Sequence, residues 1–117
     1  MITVFGIRQC DTCRKALKWL EARGVAHQFH DLRADGLTRE QLRHWQGSPF
    51  AAQLVNKRST SWRGLTDQQR SASGAELEAL LLATPTLIKR PLFVQGETLL
   101  AVGFKPQELA DLLAVTA

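Results

Sequence analysis

The stretch that constrains this chain most is Cys10-Asp11-Thr12-Cys13. It follows an apolar run, Ile2-Thr3-Val4-Phe5, and opens a segment with helical periodicity. These are the only two cysteines in 117 residues. Residues i and i+3 of a first helical turn share one face, and a disulfide tolerates a Cα separation of roughly 4.4–6.8 Å. A C-x-x-C pair directly after a strand and at the start of a helix is the setting of thiol–disulfide chemistry. Two plainer readings stand beside it, a pair of buried small hydrophobic side chains or half of a zinc site. A zinc site needs two further ligands at suitable spacing. His27, His30 and His44 offer no such pair, so no metal is expected.

Around this motif the chain spells a plan. Ile2 to Phe5, rich in β-formers, predicts a buried strand, with Gly6 to Gln9 as the turn. From Asp11 the positions Cys13, Ala16, Leu17 and Leu20 follow the i, i+3, i+4, i+7 pattern of a helix face, and Gly24 closes that helix. Val25 to His30 predicts a second strand, followed by the polar loop 31–36. Thr38 with Gln41, Thr66 with Gln69 and Ser73 with Glu76 each match the S/T-x-x-E/Q capping box. The third precedes a helix with Leu77, Leu80 and Leu81 on one face. Residues 37–83 are thus read as a helical insertion, and Trp19, Trp45 and Trp62 as anchors of cores and packing surfaces. Leu92 to Val94, a turn over 95–97 and Thr98 to Val102 predict a β-hairpin. Pro106 then starts a terminal helix bearing Leu109, Leu112 and Leu113. The order β-α-β, insert, β-β-α is an α/β, thioredoxin-like plan with a mixed sheet. One domain, 1–117, is expected, its thioredoxin-like part being 1–36 and 84–117.

Composition enters as a set of exclusions. An apolar fraction of 44% and a charged fraction of 22% are ordinary for a globular protein that folds without disulfide staples. No apolar stretch reaches the length of about 18 residues that a membrane span needs. The first residues lack the charged start, apolar core and cleavage site of an export signal. With two cysteines and no disulfide framework, the expected compartment is the reducing cytoplasm. A net charge of +4, from 15 basic and 11 acidic residues, is a mild bias. It does not predict direct nucleic-acid binding, because no binding motif or interleaved exposed aromatics accompany it. Nothing in the apolar pattern demands a partner chain, so a monomer is expected.

In a dithiol site of this kind Cys10 is the attacking sulfur. It stands at the helix start, where unpaired N–H groups and the positive end of the dipole favour a thiolate. Arg8, Arg14 and Lys15 add positive charge nearby. Such surroundings lower a cysteine pKa from about 8.5 to about 3.5–7.5. Cys13, one turn in, is placed to attack a mixed disulfide at Cys10. Pro91, just before a strand, marks either a plain strand start or the cis-proline that faces the cysteines in thioredoxin-like folds. Arg90 and the loop 56–63 carry donors that can pair with an anion in a forked geometry. A solvated surface charge is the plainer reading of each arginine.

Gly6, Cys10, Cys13-Arg14-Lys15-Ala16, the helical insertion and Ile88-x-Arg90-Pro91-Leu92 together resemble the arsenate reductase (ArsC) family over nearly the whole chain. The loop Lys57-Arg58-Ser59-Thr60-Ser61-Trp62-Arg63 is most similar to its YffB-like branch. The resemblance implies a thioredoxin-like fold with a helical insertion and Cys10 as nucleophile. It implies Arg58 and Arg90 as binders of an anionic substrate or glutathione, with Pro91, Asp11 and Thr12 as further substrate contacts. Where glutaredoxin-linked arsenate reductases have a histidine, a serine and a third arginine, this chain has Gly6, Cys13 and Lys105. The resemblance therefore implies glutathione-dependent reduction of a small oxidised or disulfide substrate, ahead of arsenate reduction. Glutathione would be a co-substrate, with no tightly bound cofactor and glutaredoxin as a conceivable protein partner. The C-x-x-C pair also resembles Spx-type regulators. That likeness implies a rival function, a redox switch that binds the RNA polymerase α subunit.

Overall fold

β1 (Ile2–Gly6) forms where β-branched and aromatic side chains meet a pleated surface buried on both faces: Ile2, Val4, Phe5 and Gly6 are all buried. The computed structural model describes residues 1–114; residues 115–117, the end of the segment expected to belong to the thioredoxin-like part, lie outside them. β1 is the hub of the sheet. It pairs in parallel with β2 (His27–Asp31) and antiparallel with β3 (Leu92–Gln95). β3 in turn pairs antiparallel with β4 (Thr98–Val102) through a bulge at Phe93 and Val94. The order β2-β1-β3-β4 gives the mixed, four-stranded, thioredoxin-like sheet.

α1 (Asp11–Ala22) connects the parallel pair, and its apolar face buries Cys13, Ala16, Trp19 and Leu20. Gly24, just past its end, takes φ +66°, the left-handed conformation that ends helices and suits glycine. Ala16, Trp19 and Leu20 pack with Ile2, Val4, Phe93, Leu109 and Ala110 into one core. α6 (Pro106–Leu113) begins with its proline at the first turn, where the missing N–H costs nothing. Its inward stripe differs from the expected one. It runs over Leu109 and Ala110 with Leu113 half-buried, leaving Leu112 54% exposed.

The chain divides into two compact units, residues 1–36 with those from Arg90 onward, and residues 37–89. In the second unit, α2 (Arg39–Gln46) starts with the complete Thr38–Gln41 capping box. α3 (Thr60–Arg63) is capped by Ser59, and α4 (Asp67–Arg70) by the Thr66–Gln69 box. The third predicted box is not made. Ser73 is the N-cap of α5 (Gly74–Ala83), but its side chain makes no capping bond. Gly74, the first residue of the helix, stands at φ +56°, outside the right-handed well, so the first turn departs from the regular geometry that a capping box needs. The buried face of α5 is also not the leucine stripe alone, because Glu78 is buried with Leu81. Its carboxylate takes the Arg43 Nε at 3.1 Å and lies 3.9 Å from the Arg39 Nε, so two cations from α2 pair with the buried charge. Residues 84–89 are tied to this unit by Asn56 N–H donating to Leu87 O (2.8 Å) and Lys89 N–H to Leu54 O (2.7 Å). Trp45 is buried, whereas Trp62 is half-buried between Lys57 and Arg70, 5.7 and 5.8 Å from its ring centre. Among the described residues no helix is long and apolar enough to cross a membrane.

Candidate active site

The strand β1 ends at Gly6, and the turn that follows delivers Cys10 to the start of α1. Cys10 N–H donates to Ile7 O at 3.0 Å, and Cys10 O accepts the Arg14 N–H at 3.1 Å as the first helical bond. Cys10 is therefore the N-cap, with extended φ −90° and ψ 120°. A cysteine at this position replaces the usual oxygen cap by a sulfur among unpaired N–H groups. Its side chain makes no bond of regular capping geometry, yet the Cys13 N–H still acts on the sulfur electrostatically. Cys10 is partly exposed; Cys13, one turn later, is fully buried, and both thiols are free.

The two sulfurs differ sharply in acidity. Burial raises the Cys10 pKa, but the Cys13 N–H, the Cys13 thiol and the hydrogen bond and charge of Arg90 outweigh it. The net effect holds Cys10 below the ordinary thiol value. For Cys13 burial dominates. Together with the neighbouring Cys10 it pushes the thiol up to about 12, against smaller lowering effects from Ile7 and Arg90. The pair therefore ionises at Cys10 before Cys13, whose proton-bearing thiol stabilises the Cys10 thiolate once it forms.

Gly6 makes room for this arrangement. A Cβ at position 6 would lie 2.5 Å from the Cys13 sulfur, well inside van der Waals contact, and 3.3 Å from the Phe29 ring. The glycine at the strand end and the cysteine in the helix are sterically coupled.

Arg90 and Pro91 close the other side. The Arg90–Pro91 peptide is cis, the alternative that the thioredoxin-like plan implied, and not a plain strand start. Pro91 is buried and its carbonyl accepts the Gly103 N–H at 2.8 Å. Of the residues expected at a site, Cys10, Cys13 and Arg90 interact directly, with Pro91 adjoining. Asp11 and Thr12 are exposed on the first turn of α1, where Asp11 lies 3.6 Å from Arg14. Arg58 belongs to the unit 37–89, exposed on the turn before α3, its N–H donating to Asn56 Oδ1 at 3.1 Å. Lys105 is exposed at the start of α6, 3.9 Å from Glu108.

One residue of this region escaped the sequence reading. Asp31, placed in a plain polar loop, is the last residue of β2 and only 5% exposed. Its Oδ2 accepts the Arg8 N–H at 3.0 Å; its Oδ1 accepts the N–H groups of Arg33 (2.8 Å) and Ala34 (2.9 Å). Burial tends to raise its pKa, but the three N–H donors and the Arg33 charge bring it below the usual carboxylate value. Asp31 thereby pins the turn that carries Cys10 to the loop after β2. The legible signal was local: an aspartate accepting from residues two and three ahead is an Asx turn.

The chain is similar to several known proteins. An uncharacterized protein of Haemophilus influenzae is 44% identical over 109 residues, covering 92% of this chain and 95% of that protein. The global transcriptional regulator Spx of Streptococcus pneumoniae is 30% identical, over 97% of this chain and 86% of the regulator. Among solved structures, the YFFB protein superposes with a TM-score of 0.86 at 38% identity, over 97% of this chain and 99% of its own. The model of the ArsC family matches residues 5–112, from the end of β1 through the dithiol and the cis-proline to α6. This chain belongs to the ArsC family.

Proposed function

We propose that this protein is a thiol–disulfide reductase that uses glutathione as co-substrate. The observation that carries the reading is the asymmetry of the dithiol: an accessible, acidified Cys10 beside Arg90, over a buried Cys13 pushed up to about 12. The Cys10 thiolate attacks one sulfur of the oxidised substrate R–S–S–R′. A new sulfur–sulfur bond forms, the substrate's disulfide breaks, and R′S⁻ leaves and takes a proton from solvent. A glutathione thiolate then attacks the Cys10 sulfur, releasing RS⁻. A second glutathione removes the first as glutathione disulfide and restores the Cys10 thiolate. Two glutathiones are oxidised for each disulfide reduced. Cys13 offers a parallel exit. Once Cys10 is in a mixed disulfide its negative charge is gone, and with it one of the influences that hold the Cys13 proton. Arg90 is the proposed holder of an anionic part of the substrate; for Arg58 that role rests on the family resemblance alone. Asp11, Thr12 and Pro91 are its proposed neighbours.

The test is turnover of a glutathione-linked mixed disulfide. Cys10→Ser is expected to abolish it, and Cys13→Ser to leave a measurable fraction. Undiminished turnover by Cys10→Ser would overturn the mechanism.

A second reading draws on the 30% identity with Spx across almost the whole chain. In it the Cys10–Cys13 disulfide changes a surface that binds the RNA polymerase α subunit, and nothing is turned over. Capture of the α subunit's C-terminal domain by one redox form supports this reading; capture by neither form removes it.

A further inference from the structure

Beside the turn that carries Cys10 lies a cleft of about 320 Å³ that the reductase mechanism does not use. One wall is the segment Ile7, Arg8, Gln9, immediately before the nucleophile; the other is Asp31, Arg33 and Ala34, at the end of β2. The walls are joined by Arg33 Nη2 donating to Gln9 Oε1 at 3.2 Å and by Asp31 Oδ2 accepting the Arg8 N–H at 3.0 Å.

The charges of this cleft are unevenly committed. The acidic groups are spent on the loop itself. Asp31 takes three backbone N–H groups, and Asp35 Oδ2 takes the Asp31 N–H at 2.8 Å. The two guanidiniums are exposed at the mouth, and neither makes an ion pair among the described residues. Arg8 uses only its backbone, donating its N–H to Asp31 and its carbonyl accepting the Arg14 Nε at 3.0 Å. Arg33 has a single side-chain hydrogen bond, to Gln9, and its charge also acts on Asp31 without a close ion pair. Two forked donors beside a neutral amide, on a floor fixed by a buried carboxylate, fit a carboxylate ligand. Arg8 stands two residues before Cys10, so the cleft adjoins the turn that carries the nucleophile.

We infer that the cleft between residues 7–9 and 31–34 is the subsite that holds a carboxylate of the thiol co-substrate, with Arg8 and Arg33 as its binders and Gln9 as a neutral donor or acceptor. The inference rests on the glutathione-dependent reading above and adds to it a determinant of thiol selectivity. Glutathione carries two carboxylates, one on its glycine and one on its γ-glutamyl end. Either satisfies the chemistry, and the probes separate them.

The experiment has two arms. In the first, S-methylglutathione, which undergoes no exchange, is titrated into the full chain while backbone amide shifts are followed. The S-methyl forms of γ-glutamylcysteine and cysteinylglycine are titrated in parallel. Shifts at Arg8, Gln9, Arg33 and Ala34 are expected, and the truncated probe that keeps them identifies the carboxylate bound. In the second arm, kcat/KM is compared for glutathione and for uncharged 2-mercaptoethanol. In the double variant Arg8→Gln, Arg33→Gln the preference for glutathione is expected to fall by roughly tenfold or more. The ratio cancels any general effect of the lost charges on Cys10. Shifts confined to other residues, or an unchanged ratio, overturn the subsite. If no thiol supports turnover, the reductase reading fails, and the titration still decides the subsite because it requires no reaction.

Discussion

Substituting alanine for Gly6 tests the packing beneath the dithiol. Elsewhere in a chain, Gly→Ala at a compatible backbone stabilises by about 0.4–1 kcal/mol, because the unfolded state loses freedom. Gly6 lies inside β1 and has no positive φ, so by that argument alone the change would help. The packing opposes it. The added Cβ would stand 2.5 Å from the Cys13 sulfur, more than 1 Å inside ordinary contact, and 3.3 Å from Phe29 Cε1. Cys13 has no exposed surface into which its sulfur can retreat. Overpacking a filled core costs typically about 1–3 kcal/mol, and a backbone-borne Cβ against a buried sulfur belongs in the upper part of that range. The net expectation is a loss of about 1–2 kcal/mol, a fall in Tm of several degrees for a domain of this size.

The assay is urea unfolding of the reduced protein, read as a shift of the midpoint at constant slope. The decisive control is a double-mutant cycle with Cys13→Ala. That variant removes the sulfur and leaves only a Cβ–Cβ contact near 3.4 Å. The two substitutions together are expected to cost less than the sum of each alone, by about 1 kcal/mol or more. A stabilised Gly6→Ala protein, or strict additivity in the cycle, would refute the steric coupling.

Two further outcomes follow from the electrostatics. Replacing Arg90 by glutamine removes a hydrogen bond and a charge that hold the Cys10 pKa down. The pH profile of iodoacetamide labelling at Cys10 is expected to move to higher pH, with Cys13 unlabelled until the protein unfolds; a profile that stays in place contradicts the assignment. Asp31 has a folded pKa below its usual 3.8, so its contribution to stability is present above that value and is lost as pH falls through the lower folded one. Asp31→Asn is therefore expected to be less stable than the parent at neutral pH, by about 1–3 kcal/mol given the buried N–H groups it serves. The gap should narrow below about pH 4, and a gap that widens in acid would show the sign to be wrong.

Much of the fold was legible locally because its signals are local. The period of Cys13, Ala16 and Leu20, the glycine after α1, the Thr38 and Thr66 boxes and the hairpin around Gly96 each depend on neighbours within a few positions. The motif likewise pointed to the chemistry that the proposed function rests on, a dithiol at a helix start. Three features take their physical cause from tertiary packing. The polarity of the cysteine pair depends on burial of Cys13 and on Arg90, eighty positions away in the chain, approaching Cys10. The role of Asp31 depends on β2 lying parallel to β1, which brings its carboxylate to the Arg8 N–H. The need for glycine at position 6 depends on a sulfur from the next element filling the space beside it. Within a few residues hydrogen-bond pattern and periodicity can be read directly, but burial and through-space charge exist only once distant segments meet. The sequence by itself pointed to two thiols at a helix start in an ArsC-like frame with Cys10 as the attacking one, and only the folded structure supplied the burial of Cys13 and the Arg90 contact that set their acidities apart.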